Sequence, residues 1–255
     1  MKKILIIIAI IILLPVLGLL LYFLEITYHD FFGYKAEKAA LEYLDKKYGE
    51  KFKIDETEFG QALGDAMGMY QVTAHPVKQK GISITMDVSE DFQITRDNYK
   101  EMKWRNEARE EFLPLVKELF PTYGHMFVNP SFQEEVWEKY TLEDQYQTIF
   151  KENLKQSSEF VHLLVFEEES FDKELQLQKI YKLYSFVKDR QVNDFTIEIR
   201  FFPQELKKRF YELKNPHQFE GEYYSKVILS CRFSKDQSEK AELQDYKDIS
   251  QFCGP

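Results

Sequence analysis

The sequence predicts an α+β protein: an N-terminal transmembrane helix followed by two α+β units, each with an antiparallel sheet packed on helices. Three observations predict it. An uncharged run of 21 residues, Ile4–Leu24, opens the chain. After it, hydrophobic spacing switches repeatedly between the three-to-four-residue period of helices and the two-residue period of half-buried strands. The 22 Phe and 16 Tyr provide packing material for a folded ectodomain rather than a disordered stalk.

At the helical rise, Ile4–Leu24 spans about 31 Å, which matches a bilayer core of about 30 Å. A signal peptide has a shorter apolar region and small residues before its cleavage site. Here the run closes on Tyr22, Phe23 and Leu24, and Glu25 and Ile26 follow. Lys2 and Lys3 flank the short side and predict a cytoplasmic N-terminus. The expectation is an uncleaved single-pass anchor in the cell membrane, with the rest of the chain extracytoplasmic.

Four segments are expected: residues 1–29, tail and anchor; 30–122, a first α-β-β-β-α unit; 123–157, a helical connection; and 158–255, a second α+β unit with a polar C-terminal tail. In the first unit, Ala36, Ala40, Tyr43, Leu44 and Tyr48 share one helix face, and Gly49 supplies a stop. FKIDETEF and MGMYQVTAHPV read as strands. In GISITMDVSEDF, Ile82, Ile84, Met86 and Val88 alternate with polar residues, so one face is wet and one buried. A long helix follows, with Trp104, Ala108, Phe112, Leu115 and Leu119 as its stripe. That stripe is expected to cover the first sheet, and Pro121 to end the helix.

In the connection, Ser131 with Glu134 and Thr141 with Asp144 resemble capping boxes and predict two short helices. The second unit then reads as strand SEFVHLLVF, helix FDKELQLQKIYKLYSFVKDR, strand NDFTIEIRFF, helix PQELKKRFYEL and strand YYSKVILSCRF.

The runs AEKAALEYLDKKYGEKFKI, MYQVTAHPV and ISITMDVSEDFQITRDNYKEMKW resemble the PepSY-like, cystatin-related modules of membrane-anchored proteins of Gram-positive bacteria, and the YfjL-like group among them. The resemblance covers about residues 34–120. It rests on the order of elements, the Lys-Tyr-Gly helix exit, the Tyr-x-Val-x-Ala strand and the Asp-Asn-Tyr start of the next helix. It implies an extracytoplasmic binding or regulatory domain rather than an enzyme, and it carries over no catalytic residue.

Composition narrows the partners. Without Lys2, Lys3 and Glu25 the chain holds 32 basic and 42 acidic residues. Nucleic acid and anionic lipid both need clustered cations, so neither is expected as the main partner. Cys231 lies on the inward face of a strand and Cys253 close to the end. Outside the cytoplasm they can form a disulfide; alternatively, Cys231 is simply a small buried hydrophobe.

No metal, nucleotide or hydrolase motif is present, and the five histidines are scattered. No catalytic, cofactor-binding or metal-binding residue is therefore predicted, and no cofactor. His162, among Val161, Leu163 and Leu164, reads as a core histidine. The acids Glu167, Glu168, Glu169 and Asp172 read as helix-start residues rather than a cation site. The aromatic group Phe201, Phe202, Phe210, Tyr211, Phe219, Tyr223 and Tyr224 is the candidate partner surface, with core packing as its competing use.

The expected function is a non-catalytic extracytoplasmic binding or regulatory module, tethered to the membrane through Ile4–Leu24, whose ligand is an envelope protein or peptide. One alternative is a regulator that acts through its membrane helix on a membrane partner such as a sensor kinase. Another is an envelope hydrolase with an unrecognised site.

Overall fold

The computed structural model describes the backbone of residues 2–60, 68–168, 170–213 and 215–254; side chains of residues 1–12, 14 and 21–30 lie outside that description. The chain divides into two compact units, Met1–Met102 and Lys103–Pro255. The fold is α+β, with a four-stranded and a five-stranded sheet among the described residues.

The first unit begins with one continuous helix, α1 (Lys2–Tyr48). The sequence placed a boundary near residue 30; the backbone has none. Most side chains of Ile4–Leu24 lie outside the described residues, and no described helix is long and apolar enough to cross a membrane. Those described within the run are exposed: Leu13, Val16, Leu17, Leu19 and Leu20 are each at least 50% accessible.

Farther along α1, Ala36, Ala40 and Leu44 are buried at four-residue spacing, where small side chains let a sheet approach closely. Gly49 ends the helix at φ 66°, a left-handed position that suits glycine. The sheet is fully antiparallel, in the order β1 (Phe52–Gly60), β2 (Met69–Pro76), β3 (Ile84–Ser89) and β4 (Ile94–Asp97). Tyr70, Val72, Ala74, Ile84, Met86 and Val88 are its buried face. Each fully buried Val, Ile or Met among them contributes roughly 1.5–3 kcal/mol.

Asp97, at the end of β4, accepts hydrogen bonds from Tyr43 Oη at 2.6 Å, Tyr48 Oη at 2.5 Å and Lys47 Nζ at 2.7 Å, which ties the sheet to α1. Burial alone would lift the Asp97 carboxyl. The donors Lys47, Tyr43 and Tyr48 outweigh burial and hold it below the usual carboxylate range.

The helix α2 (Tyr99–Leu119) starts in the first unit and runs into the second. Here the structure corrects two expectations. Trp104, Ala108, Phe112, Val116 and Leu119 belong to the core of the second unit, not to a cover for the first sheet. Residues 123–157 are not purely a helical connection, because β5 (Tyr123–Phe132) is a full strand. Its alternation was masked by Gly124, Pro130 and the bulge between Tyr123 and His125.

The helices α3 (Glu134–Lys139) and α4 (Tyr146–Glu152) follow, but neither expected capping box forms. The N-caps are Gln133 and Gln145, without side-chain bonds. Asp144 instead accepts the Thr141 backbone N–H at 2.7 Å, closing a local turn.

The second sheet has the order β5, β6 (Ser157–Glu167), β7 (Asp194–Pro203), β8 (Leu229–Ser234) and β9 (Cys253–Gly254). It is mixed, not purely antiparallel, because β6 and β7 run parallel. The physical reason is the crossover helix α5 (Lys173–Asp189), which returns the chain to the same end of the sheet. Strand–helix–strand spacing carried that signal.

The helices α6 (Lys207–Leu213) and α7 (Pro216–Tyr223) lie between β7 and β8. The polar C-terminal tail is built in, not loosely held. It forms α8 (Lys235–Lys240), a 3-10 turn over Tyr246–Phe252, and β9, with Leu243 and Ile249 buried. A disulfide joins Cys231 to Cys253, which are 4.1 Å apart at Cα and face each other across β8 and β9.

Candidate functional site on the outer face of the second sheet

Strand alternation sends two sets of residues to opposite sides of the second sheet. Val161, Leu163, Val165, Ile197, Ile199, Phe201, Cys231 and Phe233 join the main core. Leu164, Phe166 and Phe202 point the other way, where Phe210 of α6 and Phe219 of α7 roof them into a small second core.

The roof covers only part of this outer face. Beyond it, the strand register aligns Phe127, His162, Glu198 and Arg232 in one row across four strands, with His125 and Arg200 in the neighbouring row. Glu220 reaches this ground from α7. Phe127, Phe160, His125, Thr196 and Arg200 are half-buried, and Arg232 is exposed.

Arg200 is the hub. Its Nη1 donates to Glu220 Oε1 at 2.5 Å, its Nη2 pairs with Glu198, and the Tyr224 ring lies 5.6 Å from the guanidinium carbon. Arg232 Nη1 is 3.6 Å from the other Glu198 oxygen. His162 Nε2 lies 3.0 Å from Glu220 Oε1, off the line of a hydrogen bond. Two buried nitrogens here, His162 Nε2 and Arg200 Nε, therefore make no hydrogen bond within the protein. Buried polar atoms are nearly always satisfied, so this pair is an exception. The groups open to a ligand on this face are the exposed Arg232 and the half-buried Phe127, Phe160 and Arg200.

Electrostatics separates the titratable groups. Burial pushes the His125 imidazole down to about 4, helped by the charge of His162, whose ring centre is 6.2 Å away. His125 is neutral at pH 7. Burial would lift Glu220, but the His162 contact and Arg200 outweigh it and hold that carboxyl below its ordinary value. Aromatic surface adjoins the charges: Phe160 stacks on His162, Phe127 meets Phe160 at 6.1 Å, and the Arg105 guanidinium lies 4.9 Å from the centre of the Phe127 ring. The face offers a neutral imidazole, guanidinium groups, carboxylates and rings, which suits a ligand with both polar and apolar parts. Among the described residues, no three His, Cys, Asp or Glu side chains converge as a metal site.

The aromatic surface anticipated from sequence is mostly core. Phe201, Phe202, Phe210 and Phe219 are buried, because β7 is covered on both faces: Phe201 enters the main core and the other three the small one. Tyr223 is half-buried; only Tyr211 and Tyr224 are exposed, at 54% and 60%. His162 is not a plain core histidine but part of the charged row. Its neighbours across the sheet could not be known before the register of β5, β6 and β7.

A second concavity of about 750 Å³ opens at the carboxyl ends of the parallel strands, lined by Glu167, Glu168, Phe171, Gln204, Glu205 and Ile228. Asp172 is the N-cap of α5, accepting the Leu175 N–H at 3.1 Å, as its place before the helix suggested. Glu169 lies outside the described residues.

No family model matches the sequence, and no curated protein is similar to it. The resemblance to PepSY-like and YfjL-like modules therefore finds no support there. Among solved structures, the chain is similar to a DUF5037 family protein from Ruminococcus gnavus, at 12% identity and a TM-score of 0.47, over 77% of this chain and 88% of that one.

Proposed function

We propose that the chain is a non-catalytic binding module, tethered to the cell membrane by the first half of α1 and extracytoplasmic beyond it, whose ligand is an envelope protein or peptide. The outer face of the second sheet carries this reading. There, Phe127, His162, Glu198 and Arg232 lie in register beside two unsatisfied buried nitrogens. A peptide supplies acceptors for the exposed Arg232 guanidinium and apolar side chains for the half-buried Phe127 and Phe160. The exposed Leu13, Val16, Leu17, Leu19 and Leu20, preceded by Lys2 and Lys3, support the tether and its orientation. Holding the domain near the membrane raises its effective concentration for partners there.

Photo-cross-linkers placed at Phe160, Tyr224 and Leu17 in intact cells test the reading. Partners captured at Phe160 or Tyr224 support it. Capture only at Leu17, with function surviving replacement of the ectodomain, rejects it in favour of a regulator acting through its membrane helix.

The second reading, an envelope hydrolase, is favoured by one observation: a His-centred cluster in which His125 stays neutral beside His162 and Glu220. Turnover of envelope peptides or glycans by the purified chain, lost in both His125→Gln and Glu220→Gln, would replace the binding reading.

A further inference from the structure

We propose that Phe31, Phe32, Lys35 and Phe92 form a collar that seats the first unit on the phospholipid headgroup layer. This rests on the tethering role of α1. The starting observation is a strained turn. Between β3 and β4 the chain reverses through Ser89–Gln93, closed by Ser89 N–H to Gln93 O and Phe92 N–H to Ser89 O, both at 2.9 Å. The residue in the left-handed position of this turn is Phe92, at φ 62°. Glycine or asparagine is the usual choice there, because a Cβ crowds the backbone. A bulky aromatic accepts that strain where its ring has a use.

The Phe92 ring lies flat against Phe32 of α1, with centroids 6.0 Å apart and planes 5° from parallel. Lys35 Nζ stands 4.7 Å from the Phe31 ring centre, 5.0 Å from that of Phe32 and 5.9 Å from that of Phe92. Phe31 and Tyr34 are both more than half exposed. The acids of the turn are occupied locally: Asp91 accepts from the Ser89 hydroxyl, and Glu90 from the Gly68 N–H at 2.7 Å. The result is one cation among three rings at the side of a helix, with Phe31 exposed and Phe32 and Phe92 half-buried.

Position along α1 names the occupant. The helix is unbroken from Lys2 to Tyr48, so distance along it is fixed. From Leu24, where the uncharged run ends, to Phe31 is about 10 Å at the helical rise. Helical side chains lean toward the N-terminus, so Phe31 and Lys35 reach back over the preceding turn. That places the Phe31 ring in the headgroup zone, about 5–8 Å deep on each side of the hydrocarbon, and the Lys35 ammonium, rooted about 16 Å beyond Leu24, at the outer edge of that zone. A ring with a neighbouring long cation suits this zone: the ring rests on the glycerol and acyl boundary while the ammonium reaches a phosphate.

The test uses the full chain in phosphatidylcholine–phosphatidylglycerol vesicles, with tryptophan introduced at one position at a time and the parent, carrying Trp104 and Trp137, as background. A headgroup nitroxide lipid is expected to quench the added emission of Phe31→Trp and Phe92→Trp at least about twofold more than a deep-chain label, while Leu17→Trp shows the reverse order. Loss of quenching at 31 and 92, with Leu17→Trp still quenched by the deep label, overturns the collar and leaves the tether standing. An unquenched Leu17→Trp overturns the tether and the collar with it. Phe31 is exposed, so tryptophan there leaves the core intact, and that variant decides the matter if Phe92→Trp does not fold.

Discussion

Arg190 and Glu159, 31 positions apart, meet at 2.8 Å in the interior of the second unit, where the Glu159 side chain is completely buried. Arg190 also pairs with Glu111 at 2.9 Å and lies over the rings of Phe112 and Phe150, and Tyr146 donates to Glu159 at 2.7 Å. Burial lifts the Glu159 carboxyl above its ordinary value, against the opposing charge and hydrogen bonds of Arg190. Removing one partner strands the other. Arg190→Met is expected to cost about 3–5 kcal/mol, read as a lowered urea midpoint. The double variant Arg190→Met with Glu159→Leu should lose less than Arg190→Met alone, since the completely buried carboxylate is gone and only the partly accessible Glu111 is left without its partner. A double variant as unstable as the sum of its singles would show that the pair is not coupled.

The Cys231–Cys253 bridge closes a sequence separation of 22 residues. A loop of that length restricts the unfolded chain by about 3 kcal/mol. Reduction, or Cys253→Ser, is therefore expected to lower the midpoint and to release the segment around Ile249 to hydrogen exchange first. Unchanged exchange there after reduction would mean that the buried side chains hold the tail without the bridge.

Acid should weaken the second unit through His125. Its folded value, about 4, lies below the ordinary value for histidine, because burial disfavours the charged ring. The sign follows from linkage: the unfolded chain binds the proton more readily, so stability is full above about 6.5 and falls as pH drops toward 4. The loss is on the order of 3 kcal/mol across that window. Urea midpoints at pH 7 and pH 4.5 measure it, and His125→Gln should flatten the difference. An equally steep fall in the variant would assign the effect to other groups.

Gly124 sits where β5 bulges against the small core. A Cβ there would lie 2.4 Å from Phe166 Cε2 and 3.3 Å from Phe210 Cε1. Gly124→Ala is expected to destabilise by roughly 1–3 kcal/mol, the usual cost of overpacking. Pairing it with Phe166→Leu should recover part of that loss in thermal unfolding. No recovery would place the strain in the backbone instead.

Much of the architecture was legible because it is local. The alternation of Ile82, Ile84, Met86 and Val88, the stop at Gly49 and the amphipathic spacing of α5 each depend on residues within one element. β4 and β5 were missed for the opposite reason. β4 is only four residues long, and β5 carries a glycine, a proline and a bulge that break the two-residue pattern. The aromatic cluster from Phe201 to Tyr224 misled because composition cannot say which rings a roof of α6 and α7 will cover.

The candidate site was the least legible part. His125, His162, Glu198, Arg200, Glu220 and Arg232 come from four strands and a helix, and no two of them form a motif in the chain. By itself the sequence determined the uncharged opening run, the α+β alternation and the location of most elements, because periodicity and end signals are properties of neighbouring residues. Only the tertiary structure decided the parallel pairing of β6 with β7, the burial of most of the aromatic group and the charged row on the outer face. Those follow from strand register and from what covers each face, and both are set by contacts between residues tens of positions apart.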